Sequence, residues 1–450
     1  REEEFDDEVI EEGIEQTKIL NEKYGDIFNF CYRKREWNEK ENSYLGWERK
    51  RGMITQFNEY LLGNEPNKFR VNTFEIKESN NNKSDSVQKN VNKKQIPKIK
   101  YVITLDADTE LILNSAFELI GGMAHILNRP VMQNGIVVDG YGIMQPRIGV
   151  NLDVSFKSIF TKIFAGAGGI DSYTNAISDI YQDNFGEGIF TGKGIYDLEV
   201  FSKILKNEIP ENTVLSHDLL EGSYLRCGLA SDILLMDGYP TKYNSFMTRL
   251  ARWIRGDWQI CKWIIKGPLN LLSRYKIFDN LRRSLIEISI LVAMLYFNIL
   301  AILYKIKIYP IILILAFISI FPFILEILNQ LIFKKEGEEK QKTFTPKISG
   351  MKGAVLRLII TLGCLPYKAY ISLIAISKTI YRLTISHKHL LEWTTSEEAE
   401  NTKKVSLQSY YASMGPNLVL ALIILGISPY INNIFINIFL VIIAVMWLLA

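Results

Sequence analysis

The 450-residue sequence predicts an α/β domain built on a mainly parallel sheet, followed by α-helices that cross a membrane or lie along it. Two observations predict this division. In residues 1–280, short segments rich in β-branched and aromatic residues alternate with segments of helical spacing, which is typical of α/β sheets. In the last third, apolar runs reach about 20 residues, the length that a helix needs to cross the hydrocarbon core.

Local spacing and composition define the elements of the α/β domain. Apolar residues from Val9 to Leu20 recur at helical intervals, so a helix is expected over 8–24. Residues 77–94 are polar, low in complexity and without periodicity, which predicts a disordered or hairpin-tip insertion. The other expected elements are strands at 27–34, 99–105, 142–146 and 230–236, and helices at 53–62 and 113–127.

Apolar runs in two regions, 281–332 and 410–450, each predict a pair of transmembrane helices. The four runs cover 285–304, 309–331, 410–427 and 431–450. Between the pairs, 351–391 carries lysine and arginine but no acid, which predicts amphipathic helices in contact with membrane lipid. Because cytoplasmic loops are rich in lysine and arginine, we expect 333–409 and the domain of residues 1–280 to lie in the cytoplasm of a multi-pass protein.

The composition indicates which partners and which cellular compartment to expect for the protein. A net charge of +3 is too small to favour nucleic acid as a partner. The four cysteines lie far apart in the sequence, so we expect reduced, buried thiols rather than a metal site. The acidic start of the chain argues against a signal peptide, and a first residue of Arg1 leads us to expect a piece of a longer protein.

The stretch YVITLDADTEL (101–111) places Asp106 and Asp108 at the end of a predicted strand. Ligands of open α/β sheets bind beyond the carboxyl ends of the strands. Two carboxylates at such a place can hold Mg²⁺ together with a diphosphate. Because the pattern also occurs by chance, a solvated strand end or a helix N-cap stays an alternative for these residues taken alone.

A second acidic motif, ENTVLSHDLLEG (211–222), places Asp218 and Glu221 around the start of a predicted helix. A carboxylate in a cleft can remove a proton from a sugar hydroxyl as a general base. For the motif alone, the favoured alternative is that Ser216 or Asp218 only caps the helix.

A basic and aromatic motif, TRLARWIRGDWQ (248–259), places Arg249, Arg252 and Arg255 three residues apart, beside Trp253 and Trp258. The planar guanidinium of arginine suits phosphate recognition, and an indole face can stack on a sugar ring. A basic amphipathic helix at a membrane surface is an alternative that is compatible with this role.

Two glycine-rich stretches, FAGAGGI (164–170) and FGEGIFTGKGIYD (185–197), mark places where the backbone turns sharply or approaches a ligand. The second is not a Walker loop, because Lys193 is followed by Gly194 rather than by Ser or Thr. A structural loop and an acceptor-site loop both stay open for each stretch.

Taken in order, these motifs resemble the inverting processive glycosyltransferases, the group that includes cellulose, chitin and hyaluronan synthases. The segment MDGYPTKYNSFMTRLARWIRG is similar to their Gln-x-x-Arg-Trp region, with Arg249 where Gln is usual. The segment ERKRGMITQFNEYL is similar to their nucleotide-side motif through Lys50, Gly52 and Asn58. A longer set resembles the glycosyltransferase region of cyclic β-1,2-glucan synthases: GWERKRG, TLDADTEL, GGMAHILNRP, GYGIMQPRIG, FAGAGGID, FGEGIFTGKGIYD, ENTVLSHDLLEG, RWIRGDWQ and LLEWTTSEEAE.

This resemblance implies a GT-A-type, Rossmann-like fold in the α/β domain and a donor site for UDP-glucose. Asp106 and Asp108 would hold Mg²⁺ or Mn²⁺ against the diphosphate of the donor. Lys50 and Gly52 would lie on the nucleotide side. Arg252 would neutralise the leaving diphosphate.

On the acceptor side, the resemblance implies that Asp218 would deprotonate the 2-hydroxyl of a growing β-glucan and that Trp253 would stack the acceptor sugar, with Arg249 near the diphosphate. A single displacement would invert the α-linked donor to a β-linked product. The glucan would be attached to the protein, and ring-closing carbohydrate-active modules of the full-length chain would follow. The implied location is the bacterial inner membrane, with the catalytic domain in the cytoplasm.

One departure and two alternatives accompany this interpretation. The family's first nucleotide-binding strand and its aspartate are expected before Ile27, yet 1–25 contains no convincing equivalent. Another processive synthase, cellulose-like or hyaluronan-like, would share the catalytic residues and differ in linkage. A membrane transport or scaffold protein with a non-catalytic α/β domain is the alternative from another class.

Overall fold

The computed structural model describes residues 6–75, 97–155, 157–165, 179–304, 309–332, 350–393, 407–431 and 433–450. The predicted insertion at 77–94 lies outside these residues. So do most of the FAGAGGI stretch and the part of LLEWTTSEEAE that follows Trp393.

Helices make up most of the described chain. The α-helices span Asp6–Tyr24, Arg49–Leu61, Ser115–Ala124, Leu152–Ser155, Ile159–Phe164, Ile180–Phe185, Leu198–Leu205, Asp218–Leu225, Tyr243–Gln259, Leu271–Ser284, Ile286–Tyr304, Tyr309–Ile332, Gly350–Gly363, Leu365–Tyr381, Leu407–Ser413, Gly415–Ile427 and Ile434–Leu449. Short 3-10 helices at Ile126–Asn128, Cys261–Ile264 and Ser428–Tyr430 and a π-helix at Arg382–Ser386 complete them.

The strands form one central sheet and three small two-stranded sheets. They are β1 (Cys31–Arg33), β2 (Glu36–Asn38), β3 (Ser43–Leu45), β4 (Phe69–Asn72), β5 (Tyr101–Thr104), β6 (Glu110–Leu111), β7 (Val131–Gln133), β8 (Ile136–Asp139), β9 (Ile143–Val150), β10 (Gly194–Asp197) and β11 (Cys227–Asp237). The central sheet has the order β5-β10-β9-β11-β6, and the small sheets pair β1 with β4, β2 with β3 and β7 with β8.

The predicted α/β class is confirmed, but the prediction of a mainly parallel sheet is wrong. Within the central sheet, only β9 and β11 pair in parallel, whereas β10 is antiparallel to both β5 and β9, and β6 is antiparallel to β11. The alternation of strands and helices predicts parallel crossovers. Here β10 follows the glycine-rich loop after Ile180–Phe185 and enters between β5 and β9 in the reverse direction.

The core of the α/β domain lies between the central sheet and the helices that follow β10. Asp197 accepts a hydrogen bond from the backbone N–H of Val200 at 3.1 Å and so caps Leu198–Leu205. Leu198 in this helix, Ile143 in β9 and Leu225 at the end of Asp218–Leu225 are fully buried in one cluster. Burying one such side chain contributes about 1.5–3 kcal/mol, so this cluster fixes the strand ends and helix starts that carry the site.

Most predicted elements are present with shifted ends. The helix expected at 53–62 begins four residues earlier, at Arg49, so its first turn contains the last four residues of GWERKRG. The strand expected at 27–34 is reduced to β1, which pairs with β4 outside the central sheet. The Rossmann-like GT-A arrangement of the domain stays a prediction.

The apolar C-terminal third forms helices that pack on one another and on the α/β domain. Leu291, Ala421, Leu440 and Trp447 share one buried cluster. Ile254, in the helix Tyr243–Gln259, packs against Ala375 and Ile376 of the helix Leu365–Tyr381. The basic helix that was expected along the membrane therefore lies directly against the arginine-bearing helix.

Within the described residues, one helix, Ile286–Tyr304, has the length and the hydropathy to cross a membrane. A second span is added if Lys352–Gly363 and Leu365–Ser386, which are bent by 60° at the break between them, act as one. The apolar segments Ile314–Leu328, which lies within the helix Tyr309–Ile332, Gly415–Tyr430 and Ile434–Leu449 are shorter. The arrangement with four crossings stays a prediction.

Candidate active site

The turn before Lys50 has an unusual backbone. Glu48 and Arg49 both lie in the left-handed region, with φ of 50° and 51°, a conformation that costs about 1–3 kcal/mol for a residue with a side chain. Arg33 donates hydrogen bonds to the carbonyl oxygens of Trp47 and Arg49, the latter at 2.7 Å. The carboxylate of Glu48 accepts from Arg51 at 2.5 Å and from the backbone N–H of Asn212 at 2.6 Å. These bonds hold the strained turn in place.

Gly52 has a steric role in the same turn. A Cβ at this position would lie 1.8 Å from the carbonyl oxygen of Trp47, which is far inside contact distance. Only glycine allows the backbone of Trp47 to pass over the first turn of Arg49–Leu61. The predicted importance of Gly52 therefore has a structural reason here, and its place on the nucleotide side stays a prediction.

Lys50 connects three parts of the site. Its ammonium group contacts the carboxylate of Asp106 and donates a hydrogen bond to the carbonyl oxygen of Gly192 at 2.9 Å. Burial opposes charging of this group, but the negative charges of Asp218 and Asp106 outweigh burial and raise the pKa of Lys50. Lys50 therefore lies as a cation between the two carboxylates that the sequence singled out separately.

Asp106 lies two residues beyond the end of β5, as predicted for a strand-end ligand. A second lysine, Lys193, lies 3.2 Å from its other oxygen, and Lys193 also pairs with the buried carboxylate of Asp237. Burial would raise the pKa of Asp106, but the charges of Lys50 and Lys193 outweigh it and lower that pKa. Asp106 is therefore held as a carboxylate at neutral pH.

Asp108 has a more open position than Asp106. It is exposed, and it packs against Gly238, where a Cβ would lie 2.9 Å from Oδ2 of Asp108. Mg²⁺ typically takes one or two carboxylates and fills its other positions with phosphate and water oxygens. The Asp106 carboxylate keeps accepting capacity beyond its lysine bonds, and carboxylate oxygens are the type of ligand that such a cation takes, so a metal held by Asp106 and Asp108 stays a prediction.

Asp218 begins the helix Asp218–Leu225 and does not cap it. The N-cap residue is His217, whose side chain makes no capping hydrogen bond, so the alternative that Asp218 or Ser216 caps the helix is wrong. Gly192 has a φ of 91°, and a Cβ there would lie 2.7 Å from Oδ1 of Asp218. The glycine-rich stretch 185–197 therefore brings its backbone directly against the candidate base.

His217 and Glu221 form a buried pair next to Asp218. Nδ1 of His217 lies 2.7 Å from the carboxylate of Glu221 and 3.7 Å from Oδ1 of Asp218. Burial opposes charging of the imidazole, but Glu221 and Asp218 outweigh it and raise the pKa of His217. One imidazole nitrogen of His217 and one carboxylate oxygen each of Asp218 and Glu221 lie within 4.8 Å of one another. Because Glu221 is only 2% exposed and already bonded to His217, it is a poor candidate for contact with substrate.

The helix Tyr243–Gln259 brings two of its three arginines to the site. The pKa of Arg252 is lowered to about 10 by burial and by the neighbouring charge of Arg249, while the charges of Asp106, Asp218 and Asp108 act in the opposite direction. Arg252 therefore stays a cation at neutral pH and lies within electrostatic reach of all three carboxylates.

Arg249 and Arg255 differ from each other in their surroundings. The guanidinium carbon of Arg249 lies 4.9 Å from the ring centroid of Trp253, so it covers part of the indole that was predicted to stack a sugar. Nε of Arg249 is buried without a hydrogen-bond partner in the part of the chain that the structure describes, which fits an anion binding there. Arg255 is directed away, towards Glu392 at 3.9 Å.

The structure adds residues that sequence reasoning did not assign. Lys193, His217 and Asp237 each contact a predicted site residue or its partner. Trp393 lies with its ring centroid 5.4 Å from the guanidinium carbon of Arg252 and 5.7 Å from that of Arg49. Its motif, LLEWTTSEEAE, was a family signal, but nothing in its local pattern indicated contact with residues more than 100 positions away.

No protein-family model matches the chain. A curated relative, the cyclic β-(1,2)-glucan synthase NdvB of Rhizobium meliloti (strain 1021), is 33% identical over 443 residues, which are 94% of this chain. The predicted resemblance to a region of cyclic β-1,2-glucan synthases is confirmed. The chain spans 14% of the length of that relative.

Proposed function

We propose that this chain is the glycosyltransferase part of a cyclic β-1,2-glucan synthase, which elongates a β-1,2-glucan processively from UDP-glucose. The proposal is carried by one observation: Lys50, Asp106, Asp218 and Arg252, which come from four separate motifs, lie in one electrostatic cluster. The identity of 33% to a glucan synthase supports the same class of reaction.

On the donor side, Asp106 and Asp108 would hold Mg²⁺ or Mn²⁺ against the diphosphate. When bound, the metal neutralises part of the diphosphate charge and so makes UDP a better leaving group. Lys50 and Arg252 would bind diphosphate oxygens as cations, and Arg249 would add a further donor through its buried Nε. Charge-assisted hydrogen bonds of this kind are roughly twice as strong as neutral ones.

On the acceptor side, Asp218 would accept the proton of the 2-hydroxyl of the terminal glucose. The acceptor oxygen then forms a bond to the anomeric carbon while the bond from that carbon to the UDP oxygen breaks, and UDP carries away the electron pair. One such displacement inverts the configuration, so no carboxylate needs to form a covalent bond to glucose. General base catalysis of this type typically contributes about 10²- to 10⁴-fold in rate.

The remaining parts of the proposal concern location and partners. The apolar helices would place the chain in the bacterial inner membrane as a multi-pass protein with the α/β domain in the cytoplasm, and 350–393 would contact membrane lipid. The glucan would be linked to the protein during growth. Ring closure would fall to carbohydrate-active modules of the full-length protein outside this chain.

The test uses the full-length protein in membrane vesicles with labelled UDP-glucose and Mg²⁺ or Mn²⁺. We expect incorporation of glucose into β-1,2-linked glucan, loss of incorporation with EDTA, and none with UDP-galactose. Analysis of the glycosidic linkage in the product distinguishes a β-1,2-glucan synthase from another processive synthase. A β-1,4-linked product would assign the chain to a cellulose-like enzyme. The absence of metal-dependent incorporation would leave a transport or scaffold role as the better interpretation.

A further inference from the structure

One tryptophan joins two arginines that belong to different parts of the fold. Arg49 lies in the strained turn before Lys50, and Arg252 lies in the middle of Tyr243–Gln259, yet both guanidinium groups lie within 6 Å of the Trp393 ring centroid. At this distance a cation over an indole gains about 0.5–1 kcal/mol when exposed and about 2 kcal/mol or more when desolvated.

The chain just before Trp393 is fastened from several sides. The backbone N–H of His389 donates to the carbonyl oxygen of Lys40 at 3.0 Å. The carbonyl oxygen of Leu390 accepts from Gln259 at 2.8 Å. Leu390 and Leu391 are only 4% and 1% exposed. The segment that carries Trp393 is therefore fixed both to the 36–45 hairpin and to the end of the arginine-bearing helix.

Arg49 and its neighbourhood take part in the same attachment. Nε of Arg49 donates to the carbonyl oxygen of Leu391 at 2.6 Å, and the backbone N–H of Leu391 donates to the buried carboxylate of Glu41 at 2.8 Å. Arg49 thus contacts this segment twice, once through a backbone carbonyl and once through the indole of Trp393.

Glu392 attaches the segment 389–393 to the C-terminal end of the helix Leu365–Tyr381. Its carboxylate lies 2.6 Å from Arg382 and 3.1 Å from Lys378. Burial would raise the pKa of Glu392, but Arg382 and Lys378 outweigh it and lower that pKa to about 2. His389 to Glu392 are therefore held on both sides, which limits the positions that the Trp393 ring can take.

Burial in a hydrophobic core does not explain the position of the Trp393 side chain. Trp393 is 41% exposed, so it is not a core residue. Arg252 is partly buried beside Arg249, and burial and the repulsion between the two guanidinium groups lower the pKa of Arg252. Attraction between the guanidinium group of Arg252 and the Trp393 ring would offset part of this repulsion and would restrict the rotamers of Arg252.

We propose that Trp393, whose ring also contacts Arg49, is a positioning residue that holds Arg252 in the orientation in which it receives the diphosphate of a nucleotide sugar. This inference rests on the proposed function, because it assumes that Arg252 binds diphosphate. It adds that the segment 389–393, which follows the basic helix Leu365–Tyr381, is part of the donor site.

The test compares four forms of the full-length protein: wild type, Trp393→Leu, Trp393→Phe and Trp37→Leu. Leucine keeps much of the volume and removes the aromatic face, whereas phenylalanine keeps a face. Trp37 is a matched control, since it is 50% exposed and its ring contacts Tyr44. Binding of UDP and of uridine is measured by calorimetry or by competition in the presence of Mg²⁺.

We expect Trp393→Leu to weaken UDP binding about tenfold, which corresponds to about 1.4 kcal/mol, and to leave uridine binding unchanged. Trp393→Phe should recover most of the loss, and Trp37→Leu should match wild type. Equal UDP affinity in Trp393→Leu and wild type, or an equal loss for UDP and uridine, would overturn the inference. A wild-type protein that does not bind UDP would instead overturn the proposed function.

Discussion

The side-chain ammonium of Lys50 bonds to the carboxylate of Asp106 and to the carbonyl oxygen of Gly192, the latter at 2.9 Å. Gly192 in turn packs against Asp218. One lysine thereby joins the strand end, the glycine-rich loop and the candidate base. The donor and acceptor roles that we propose therefore depend on a single connected group of charges.

Replacing Lys50 tests this connection. Lys50→Met removes a cation beside the proposed diphosphate position, and a hydrogen bond to a charged group is typically worth about 1.5–3 kcal/mol. We expect the Kd for UDP, measured by calorimetry, to rise roughly 10- to 100-fold. Lys98→Met is the control, because Lys98 is exposed and lies 3.4 Å from the exposed carboxylate of Glu199. An affinity of Lys50→Met within twofold of wild type would contradict this role.

Gly52 provides a prediction about stability. In Gly52→Ala the new Cβ would lie 1.8 Å from the carbonyl oxygen of Trp47, so the turn must open. We expect a loss of about 1–3 kcal/mol, in the range typical of overpacking, seen as a lower Tm by thermal unfolding. In Gly121→Ala, none of the residues that the structure describes outside the adjoining helix backbone lies within 4 Å of the new methyl group, and that helical site should gain stability. Equal Tm values for the two variants would refute the steric explanation.

His217 predicts a pH dependence of stability. Its pKa is raised above the ordinary value of 6.5, since Glu221 and Asp218 outweigh burial. The stabilisation by the imidazolium is therefore complete below pH 6.5 and is lost as pH rises through the raised pKa. We expect the Tm difference between wild type and His217→Gln to shrink as pH rises from 6 to 9. A difference that grows with pH would have the wrong sign and would refute this explanation.

Asp108 predicts a change in metal dependence. Losing even an outer-shell partner typically costs about 10- to 100-fold in metal affinity, and Asp108 is proposed as a direct ligand. We expect Asp108→Asn to need at least tenfold more Mn²⁺ for half-maximal UDP binding. Asp232→Asn, an exposed aspartate of β11, serves as control. An unchanged Mn²⁺ requirement in Asp108→Asn would exclude the residue as a ligand.

Local patterns predicted much of the candidate site because each pattern lies on one element. Asp106 and Asp108 follow a strand, Asp218 begins a helix, and Arg249 and Arg252 share a helix face. Spacing alone did not reveal that these elements meet. The expectation that these elements meet came from the resemblance to glucan synthases. In the structure, Asp106, Asp218 and Arg252 lie in one cluster of charges.

Long-range relations could not be predicted from local patterns. The four residues of β10 read as part of a glycine-rich loop, yet their antiparallel pairing changes the sheet from mainly parallel to mixed. Lys193 contacts Asp237, 44 positions later. Trp393 contacts Arg49 across more than 300 positions. Nothing in the periodicity around these residues encodes their partners, since packing of distant elements determines them.

A comparison of Asp106→Asn with Asp218→Asn, in the full-length protein, tests the division of roles most directly. UDP binding with Mg²⁺ is measured beside glucose transfer from labelled UDP-glucose. We predict that Asp218→Asn binds UDP like wild type and transfers glucose about 10²- to 10⁴-fold more slowly, whereas Asp106→Asn loses metal-dependent UDP binding as well. Transfer by Asp218→Asn at near the wild-type rate, or unchanged UDP binding by Asp106→Asn, would contradict the account.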